Sequence, residues 1–420
     1  MAFNRQTPGR AADPLSASTA IRVYLDYNAT TPVDPVVLEA MLPFLADNFG
    51  NAGSVHTPGQ RARAAVDAAR DSVAALIGAK PTEIVFTSGG TEADNLAIFG
   101  TVAASIKPRK HVITTAIEHH AILHSCEELA RQGVDVTIVP VGISRDSQGI
   151  VDPEAIRRAL RPGTVLITVM HANNELGTLQ PIEAIARIAA EAEVYFHCDA
   201  VQSAGKVPLD VNMLGVDLLS ISAHKFCGPK GVGALYVRSG REIAARSYGG
   251  HAERDRRAGT ENVPGIVGLG KAAELARKLL PDDSVRLAGL RDRLEGALVE
   301  RIPNVLVNGV NTDRALRVPN TSNLSFPGSG GEALLIALDL QGIACSTGAA
   351  CSSGSTEPSH VLLAAGLSHD DARSSLRFSL GRPTTVAEID RAIELIPAVV
   401  ERIRALSPRE RESASALPAR

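Results

Sequence analysis

An aspartate and a lysine directly follow two apolar runs of the chain. Asp199 ends the run VYFHCDA, and Lys225 follows DLLSIS in the string Ser222-Ala223-His224-Lys225. Pyridoxal phosphate (PLP) needs an amine to bond to its aldehyde and a carboxylate to keep its pyridine nitrogen protonated, so the pair suits this cofactor. In the alternative interpretation, Asp199 caps the next helix and Lys225 lies in a solvated turn with Pro229 and Lys230.

A glycine-rich turn forms a second candidate site. The string Ser88-Gly89-Gly90-Thr91-Glu92 follows the run EIVFT and precedes a helical pattern. Such a turn points backbone N–H groups outward at a helix N-terminus, where a phosphate can bind. The same kind of turn, with a threonine cap, is also common without a ligand. Neither a P-loop nor GxGxxG follows a strand pattern anywhere in the chain, which argues against a nucleotide ligand.

A third candidate is the thiol of Cys351 in the segment CSTGAACSSGS, residues 345 to 355. Small residues dominate this segment, and they favour a mobile loop over a packed strand. A mobile loop would let the thiol reach a buried substrate and then present its product outside. In the alternative interpretation, Cys351 is a buried apolar residue, which is the commonest fate of a free cysteine.

The elements that must position these groups form an alternating series between residues 82 and 237. The strand-like runs are EIVFT, HVITTAI, VDVTIVPV, TVLITVMH, EVYFHCDA, DLLSIS and VGALYV. Longer helical patterns separate them, such as Pro181 to Ala192, where isoleucines recur at helical spacing. The alternation predicts an α/β fold with a mainly parallel sheet flanked by helices on both faces. Because such sheets bind ligands beyond the carboxyl ends of their strands, the candidate residues would converge there.

The length of 420 residues predicts more than one domain. After about Pro281 the pattern changes to a helix, short strands and further helices, which indicates a smaller α+β domain. We therefore expect a large cofactor-binding domain over 36–277 and a small domain, carrying the cysteine segment, over 21–35 and 278–406. Residues 1–20 are expected to be a disordered leader and residues 407–420 a mobile tail.

Composition excludes several classes of function. The chain has 43 basic and 46 acidic residues and a net charge of −3, which argues against a general surface for nucleic acid or anionic lipid. No apolar run approaches the ~20 residues that span a bilayer, and the N-terminus lacks the apolar centre of a secretory signal, so we expect a cytoplasmic protein. The five cysteines form no CxxC pair, which favours a reducing compartment and predicts no metal site.

The candidate residues also belong to a longer pattern that resembles one family. The segment around Lys225, continued by Gly228-Pro229-Lys230-Gly231, resembles the cofactor-lysine segment of the NifS/IscS-type cysteine desulfurases. These enzymes belong to the class-V aminotransferase group and have the type I PLP-dependent transferase fold. Further matching strings are YLDYNATT from Tyr24, TSGGTEADN from Thr87, Glu118-His119, HANNE from His171, DAVQS from Asp199, RAGT from Arg257, the Cys351 segment and RFSLGR from Arg377. Together they cover residues 22 to 405 in the family's order.

The resemblance implies a role for each matching residue. Lys225 would bond to PLP and later move the α-proton of the substrate, and Asp199 would pair with the pyridine nitrogen. His119 would lie over the ring and assist proton transfer, and Gln202 would bind the phenolic oxygen. The phosphate would be held by Gly90, Thr91, Ser222 and His224, joined by Thr260 from a second subunit, and the substrate carboxylate by Asn174 and Arg377. Taken singly, these residues could instead be turn formers, caps, surface polar groups or half of an ion pair.

The implied reaction is removal of sulfur from L-cysteine, giving L-alanine and a persulfide on Cys351. The implied partners are a second copy of the chain and a sulfur-acceptor protein, in iron–sulfur cluster assembly or thiolation. The long cysteine segment resembles the class I branch of the family. Cys345 is either a packing residue or a second sulfur relay. Selenocysteine lyase, another class-V transaminase and a non-catalytic docking scaffold for sulfur carriers are the alternative functions.

Overall fold

A computed structural model describes residues 22–310, 312–347 and 357–406 of the chain. The expected leader, the expected tail and Cys351 lie outside the described residues. The description of the fold therefore concerns these three ranges alone.

Twelve strands occur within the described ranges, and most belong to one sheet. In chain order they are β1 (Val23–Tyr24), β2 (Ile84–Thr87), β3 (His111–Thr115), β4 (Asp135–Val139), β5 (Thr164–Met170), β6 (Tyr195–Asp199), β7 (Leu218–Ser222), β8 (Gly233–Val237), β9 (Leu306–Asn308), β10 (Thr321–Ser325), β11 (Ile343–Ala344) and β12 (Ser375–Ser379). The large sheet has seven strands in the order β2-β8-β7-β6-β5-β3-β4. Strand β8 runs antiparallel to both of its neighbours, and the other pairs are parallel. The predicted α/β fold with a mainly parallel sheet is confirmed.

Helices cover both faces of this sheet. In chain order, the helices of the described ranges are α1 (Pro35–Leu45), α2 (Thr57–Ile77), α3 (Gly90–Ala104), α4 (His120–Arg131), α5 (Pro153–Ala159), α6 (Ile182–Glu191), α7 (Val211–Leu214), α8 (Val263–Arg301), α9 (Gly331–Leu340), α10 (His360–Ala364), α11 (His369–Arg373) and α12 (Val386–Leu406). Successive side chains of a strand point to opposite faces, and β2 follows this rule: Ile84 and Phe86 join one apolar core while Val85 joins another. A sheet buried on both faces explains why its strands read as continuous apolar runs.

The predicted helix over residues 181–192 shows how the pattern folds. Ile182, Ile185 and Ile188 are buried on one face of α6, as their spacing predicts. Pro181 stands immediately before the helix, where its missing N–H removes no intrahelical hydrogen bond. The predicted helix is therefore confirmed to within a residue at each end.

A second core lies among the C-terminal elements and β1. The antiparallel sheet β12-β10-β9, the parallel pair β1–β11 and helices α9 and α12 surround Leu25, Phe326 and Phe378. Helix α8 is continuous across the boundary expected at 277/278: Ala276 packs in the first core and Leu287 in the second. The division into two domains stays a prediction.

Candidate active site

A cavity of about 320 Å³ opens beyond the carboxyl ends of β6 and β7, beside the first turn of α3. Ten of the predicted site residues line it: Gly90, Thr91, His119, Asn174, Asp199, Gln202, Ser222, His224, Lys225 and Arg377. Thr260 does not; it lines a separate cavity that also includes Ser88 and Arg257. Cys351 lies outside the described residues. The fold thus brings together around one cavity predicted residues as distant in the sequence as Gly90 and Arg377, which are 287 positions apart.

Asp199 is the last residue of β6, and its carboxyl group is buried. Burial raises the pKa of Asp199 to about 6, while the backbone N–H of Val201 and the charge of Lys225 oppose this rise. The Val201 N–H donates to Asp199 Oδ1 over 2.9 Å, so Asp199 caps the run of turns after β6, although no helix begins there. Capping occupies one oxygen, and the residue still lines the cavity. At neutral pH a group with this pKa is largely a carboxylate.

Lys225 ends the single 3-10 turn that follows β7, Ala223–Lys225. Its Nζ donates to the backbone oxygens of Asn28 and Ala29 over 2.6 and 2.9 Å. These carbonyls belong to the turn after β1, so two distant parts of the chain fix the amine at the cavity. The solvated-turn interpretation does not account for these contacts.

The glycine-rich turn closes tightly on its surroundings. Helix α3 begins at Gly90, and a Cβ atom at that position would lie 2.7 Å from Val201 Cγ2 and 3.6 Å from Ser222 Cβ. Glu92 orders the turn from the side, because its Oε2 accepts the Ser88 N–H over 2.6 Å. The 15-residue helix directs its free N–H groups into the cavity wall. The turn therefore has the geometry of an anion site.

The two histidines of the cavity are neutral at physiological pH. Burial and the positive charge of Lys225 lower the pKa of His119 to about 4 and that of His224 to about 4. His119 Nδ1 accepts the backbone N–H of Ala121 over 3.1 Å at the start of α4. Its Nδ1 is thereby the unprotonated nitrogen, and Nε2 carries the ring proton. His224 Nδ1 hydrogen-bonds with the hydroxyl of Thr30 over 3.2 Å.

Arg377 on β12 forms the opposite wall. It donates to the backbone oxygen of Asn174 over 3.0 Å and forms a 2.7 Å ion pair with Asp26. The structural ion pair considered for this arginine is therefore present. The side chain nevertheless lines the cavity together with Asn174.

The two ends of the undescribed segment 348–356 are fixed beside this cavity. On one side, the backbone of Ser346 pairs with that of Arg377 over 2.6 and 3.2 Å. On the other side, Ser359 donates to Glu175 Oε2 over 2.6 Å, and His360 Nε2 hydrogen-bonds with the backbone oxygen of Glu118 over 3.0 Å. Both flanks of Cys351 thus lie next to residues of the cavity wall or their immediate neighbours.

Cys345 itself is part of the second apolar core and is only 8% exposed. Burial, with a smaller contribution from Asp26, raises the pKa of its thiol to about 12. A thiol with this pKa is protonated at neutral pH and is a poor nucleophile. These properties favour the packing interpretation over a sulfur relay.

Sequence reasoning missed four polar residues at or beside the cavity. Asn28, Asp94, Glu118 and Lys206 are all buried. Burial raises the pKa of Glu118 to about 8, so this carboxyl group is largely protonated at neutral pH. Burial also raises the pKa of Asp94 well above its ordinary value. Asp94 precedes the apolar residues Ala97 and Ile98 by three and four positions, so helical spacing places it on their face of α3, and this is the signal that could have been used.

The residues of the cavity fit PLP. The amine of Lys225, on the turn after β7, and the carboxyl group of Asp199, at the end of the neighbouring strand β6, line the same cavity. The N-terminus of α3, where Gly90 leaves no space for a Cβ atom, provides a place for a phosphate. No group of three or more histidine, cysteine or acidic residues that could hold a metal ion occurs in the described ranges. Within those ranges, no helix has both the length and the apolar character needed to cross a membrane.

Comparisons with known proteins agree with this fit. The model of the family "Aminotransferase class-V" matches residues 23–392. The chain is 49% identical over 390 residues to the cysteine desulfurase IscS of Dictyoglomus turgidum, covering 93% of this chain and 97% of that protein. Among solved structures, a NifS-like protein superposes with a TM-score of 0.84 at 37% identity, covering 91% of this chain and all of the other. The structure of SspA in complex with cysteine superposes with a TM-score of 0.75 at 37% identity, covering 86% of this chain and 100% of that one.

Proposed function

From the premise that the chain belongs to the aminotransferase class-V family, we propose how its own residues carry out the reaction of its relatives. The protein is a PLP-dependent cysteine desulfurase with the type I fold, a transferase that takes sulfur from L-cysteine and delivers it to acceptors. The products we propose are L-alanine and a persulfide on Cys351. The observation that carries the proposal is the convergence of Lys225, Asp199 and the Gly90 turn on one cavity.

When bound, PLP supplies an electron sink that stabilises negative charge at the α-carbon of the substrate. Lys225 would hold the cofactor covalently, and its released amine would then move the α-proton. Asp199 would keep the pyridine nitrogen protonated, since its pKa of about 6 leaves a carboxylate at neutral pH. His119 Nε2, which carries a proton when Nδ1 accepts from the Ala121 N–H, would assist proton transfer over the ring face.

The phosphate would lie on the first turn of α3. Gly90, Thr91, Ser222 and His224 line that end of the cavity, and this placement supports their assignment to the phosphate. Thr260 would reach the phosphate of a second copy of the chain, in agreement with its position outside this chain's own cavity.

A second copy would also cover apolar side chains that this chain leaves exposed. Phe49 is 81% exposed, Val55 89% and Tyr248 87%. A subunit interface would cover apolar side chains of this size, and their exposure in the single chain supports a homodimer. Light scattering of the purified protein tests this part: a mass of two chains is expected, and a mass of one chain would contradict it.

The substrate carboxylate would bind between Arg377 and Asn174. Arginine suits this task because its fork can hold two oxygens at once. Asp26 takes one hydrogen of Nη2 and the Asn174 carbonyl one of Nη1, so the second hydrogen of each nitrogen is left for the substrate. Asp26 would then also fix the direction in which the guanidinium points.

Cys351 would accept the sulfur. Its thiolate would attack the sulfur of the substrate, forming an S–S bond as the Cβ–S bond breaks and its electron pair stays with the carbon; protonation of that carbon then gives alanine. The fixed positions of Ser346 and His360 support this role, because Cys351 is five residues from Ser346 and a chain of that length reaches at most about 18 Å. Attack requires the thiolate, which a free cysteine forms only to a few per cent at neutral pH, so a base must take the proton.

The proposal also covers the sulfur acceptor, the cellular compartment and the domain boundaries. We propose that the persulfide passes to an acceptor protein of iron–sulfur cluster assembly or of a thiolation pathway, and we expect no nucleic-acid partner. The free thiols of Cys126, Cys198, Cys227 and Cys345 support a reducing compartment such as the cytoplasm. The two separate apolar cores support a large domain over 36–277 and a small one over 21–35 and 278–406.

The test is to incubate the purified, PLP-loaded protein with L-cysteine and to identify the carbon product. Alanine in amounts matched by sulfur release to an added thiol is expected. Pyruvate or an amino-transfer product would make the protein another class-V enzyme, and faster turnover of selenocysteine without need for Cys351 would make it a selenocysteine lyase. A protein that binds no PLP and forms no product would be a docking scaffold.

A further inference from the structure

A buried lysine lies directly behind the cavity and has no role in the proposed reaction. Lys206 is 7% exposed, and its Nζ donates to Gln202 Oε1 over 2.6 Å and to Asn28 Oδ1 over 3.0 Å. It follows Gln202 by four residues on the turns after β6. Burial depresses the pKa of Lys206 well below its ordinary value. The amine carries at least two N–H donors in either protonation state, which is enough for the two acceptors that it meets.

These contacts decide which way the Gln202 amide points. Gln202 Nε2 donates to the backbone oxygen of Asn28 over 2.9 Å, while its Oε1 accepts from Lys206. A half-turn of the amide would set N–H against N–H and oxygen against oxygen, replacing two hydrogen bonds with two repulsive contacts. Because Nε2 carries two hydrogens and Asn28 takes one, the other remains for the cavity that Gln202 lines.

The position of Lys206 is fixed through its second acceptor, the side chain of Asn28. Asn28 Oδ1, its second acceptor, also accepts from Asn320 Nδ2 over 3.1 Å, and Asn28 Nδ2 donates to Thr321 Oγ1 over 2.9 Å. Lys206 therefore binds a side chain, that of Asn28, which is itself held by Asn320 and Thr321 at the start of β10. With its own position fixed in this way, Lys206 fixes the amide of Gln202.

We propose that Lys206 is a positioning residue that holds the Gln202 amide with an N–H directed at the phenolic oxygen of PLP. The inference rests on the proposed function, in which Gln202 binds that oxygen. Lys206 does not touch the cofactor and acts through Gln202. Loss of Lys206 frees the amide to rotate, so the phenolic oxygen loses its donor part of the time.

The test uses the full-length PLP-loaded protein and the variant Lys206→Met, which keeps the aliphatic chain and removes the donors. The readout is the pH midpoint of the visible absorption band of the bound cofactor. Without the donor, more negative charge remains on the phenolic oxygen beside the nitrogen that Lys225 contributes, so that nitrogen holds its proton more tightly. The midpoint is expected to rise by about 0.5 to 1 pH unit. Lys271→Met is the matched control, since Lys271 pairs with Glu274 on the surface of α8 over 2.9 Å; its midpoint stays that of the wild type.

A double-mutant cycle separates this inference from the proposed function. Gln202→Ala alone is expected to raise the midpoint, and adding Lys206→Met is expected to raise it no further. A shift in Gln202→Ala but none in Lys206→Met would overturn the role of Lys206 alone, as would shifts that add. No shift in Gln202→Ala would overturn the contact assigned to Gln202. Thermal melting followed by circular dichroism establishes that each variant folds. If Lys206→Met does not fold, Lys206→Gln replaces it. Its shorter side chain cannot reach both acceptors, so the same rise of the midpoint is expected.

Discussion

Lys225 Nζ lies 2.6 Å from the backbone oxygen of Asn28, a residue 197 positions earlier in the chain. The contact joins the turn after β1 to the turn after β7 and directs the amine into the cavity. It requires no side chain from Asn28, and Ala29 contributes its carbonyl in the same way. The backbone of the first turn therefore positions the lysine to which we assign the bond to PLP.

Replacement of that lysine should stop the reaction at its first step. Lys225→Ala removes the amine that bonds to PLP, so we expect loss of the visible band after gel filtration and a fall in alanine formation of at least about a hundredfold. Absorption spectra and product analysis measure the two effects. Lys230→Ala, which changes an exposed lysine five residues away, is the control and should retain both. Retention of the covalent band in Lys225→Ala would contradict the assignment.

The first turn of α3 should tolerate no side chain at Gly90. In Gly90→Ala the new Cβ would lie 2.7 Å from Val201 Cγ2, so the turn or its neighbour must shift and the phosphate contacts weaken. We expect PLP to dissociate at least about tenfold more readily, measured by dialysis and fluorescence of the apoprotein on titration with PLP. Gly289→Ala in α8 is the matched control, because a Cβ there meets nothing within 4 Å and alanine favours a helix. Equal PLP affinity of the two variants would argue against the phosphate site.

Much of this arrangement follows from local signals in the sequence. Asp199, Lys225 and the turn at Gly90 each follow a strand-like run, and the rule for parallel sheets places all three at one edge. The partners of those residues carry no such signal. Asn28 binds Lys225 through its backbone oxygen, which any residue would supply. The contact of Lys206 with Gln202 depends on how the turns after β6 fold, so no local pattern predicts it.

The continuity of α8 is a second feature that the pattern did not indicate. Pro281 removes one helical hydrogen bond, and the change of pattern there favoured a break. The helix continues because its two halves pack on different cores, with Ala276 in one and Leu287 in the other. Burial on both sides outweighs the loss of one hydrogen bond, and such distant packing is not readable from a local window.

The segment before Thr260 depends on a buried ion pair. Glu253 pairs with Arg70 over 2.7 Å, with side chains 3% and 8% exposed, and it also accepts the Phe86 N–H over 2.9 Å. Glu253→Gln leaves the Arg70 charge without its partner, so we expect a loss of about 3–5 kcal/mol in the free energy of unfolding. Urea denaturation measures this loss. Glu394→Gln breaks the exposed pair with Arg391 and should cost less than about 1 kcal/mol. Similar losses in the two variants would contradict the importance of the buried pair.

Glu118 should make stability depend on pH. Burial raises the pKa of Glu118 to about 8 in the folded protein, against its ordinary value of 4.5. Between these two values the folded state holds a proton that the unfolded state has lost, so the contribution of Glu118 to stability is full below about 4.5 and is lost as pH rises towards 8. In Glu118→Gln this loss disappears. The stability of the variant relative to the wild type should therefore rise between pH 5 and pH 8, about the range those pKa values define, as followed by urea denaturation of the apoprotein. A constant difference across that range would show that Glu118 ionises as readily in the folded protein as in the unfolded one. Glu154→Gln, on the surface, controls for the loss of a carboxyl group.

The most direct test of the account is to locate the sulfur. The protein is incubated with L-cysteine labelled with a sulfur isotope, and its peptides are analysed by mass spectrometry, with Cys351→Ser and Cys345→Ser treated in parallel. The account predicts one labelled sulfur on the peptide that contains Cys351 in the wild type and in Cys345→Ser, and none in Cys351→Ser, where PLP remains bound and sustained alanine formation stops. Labelled sulfur on Cys345 in place of Cys351, or undiminished alanine formation by Cys351→Ser, would contradict it.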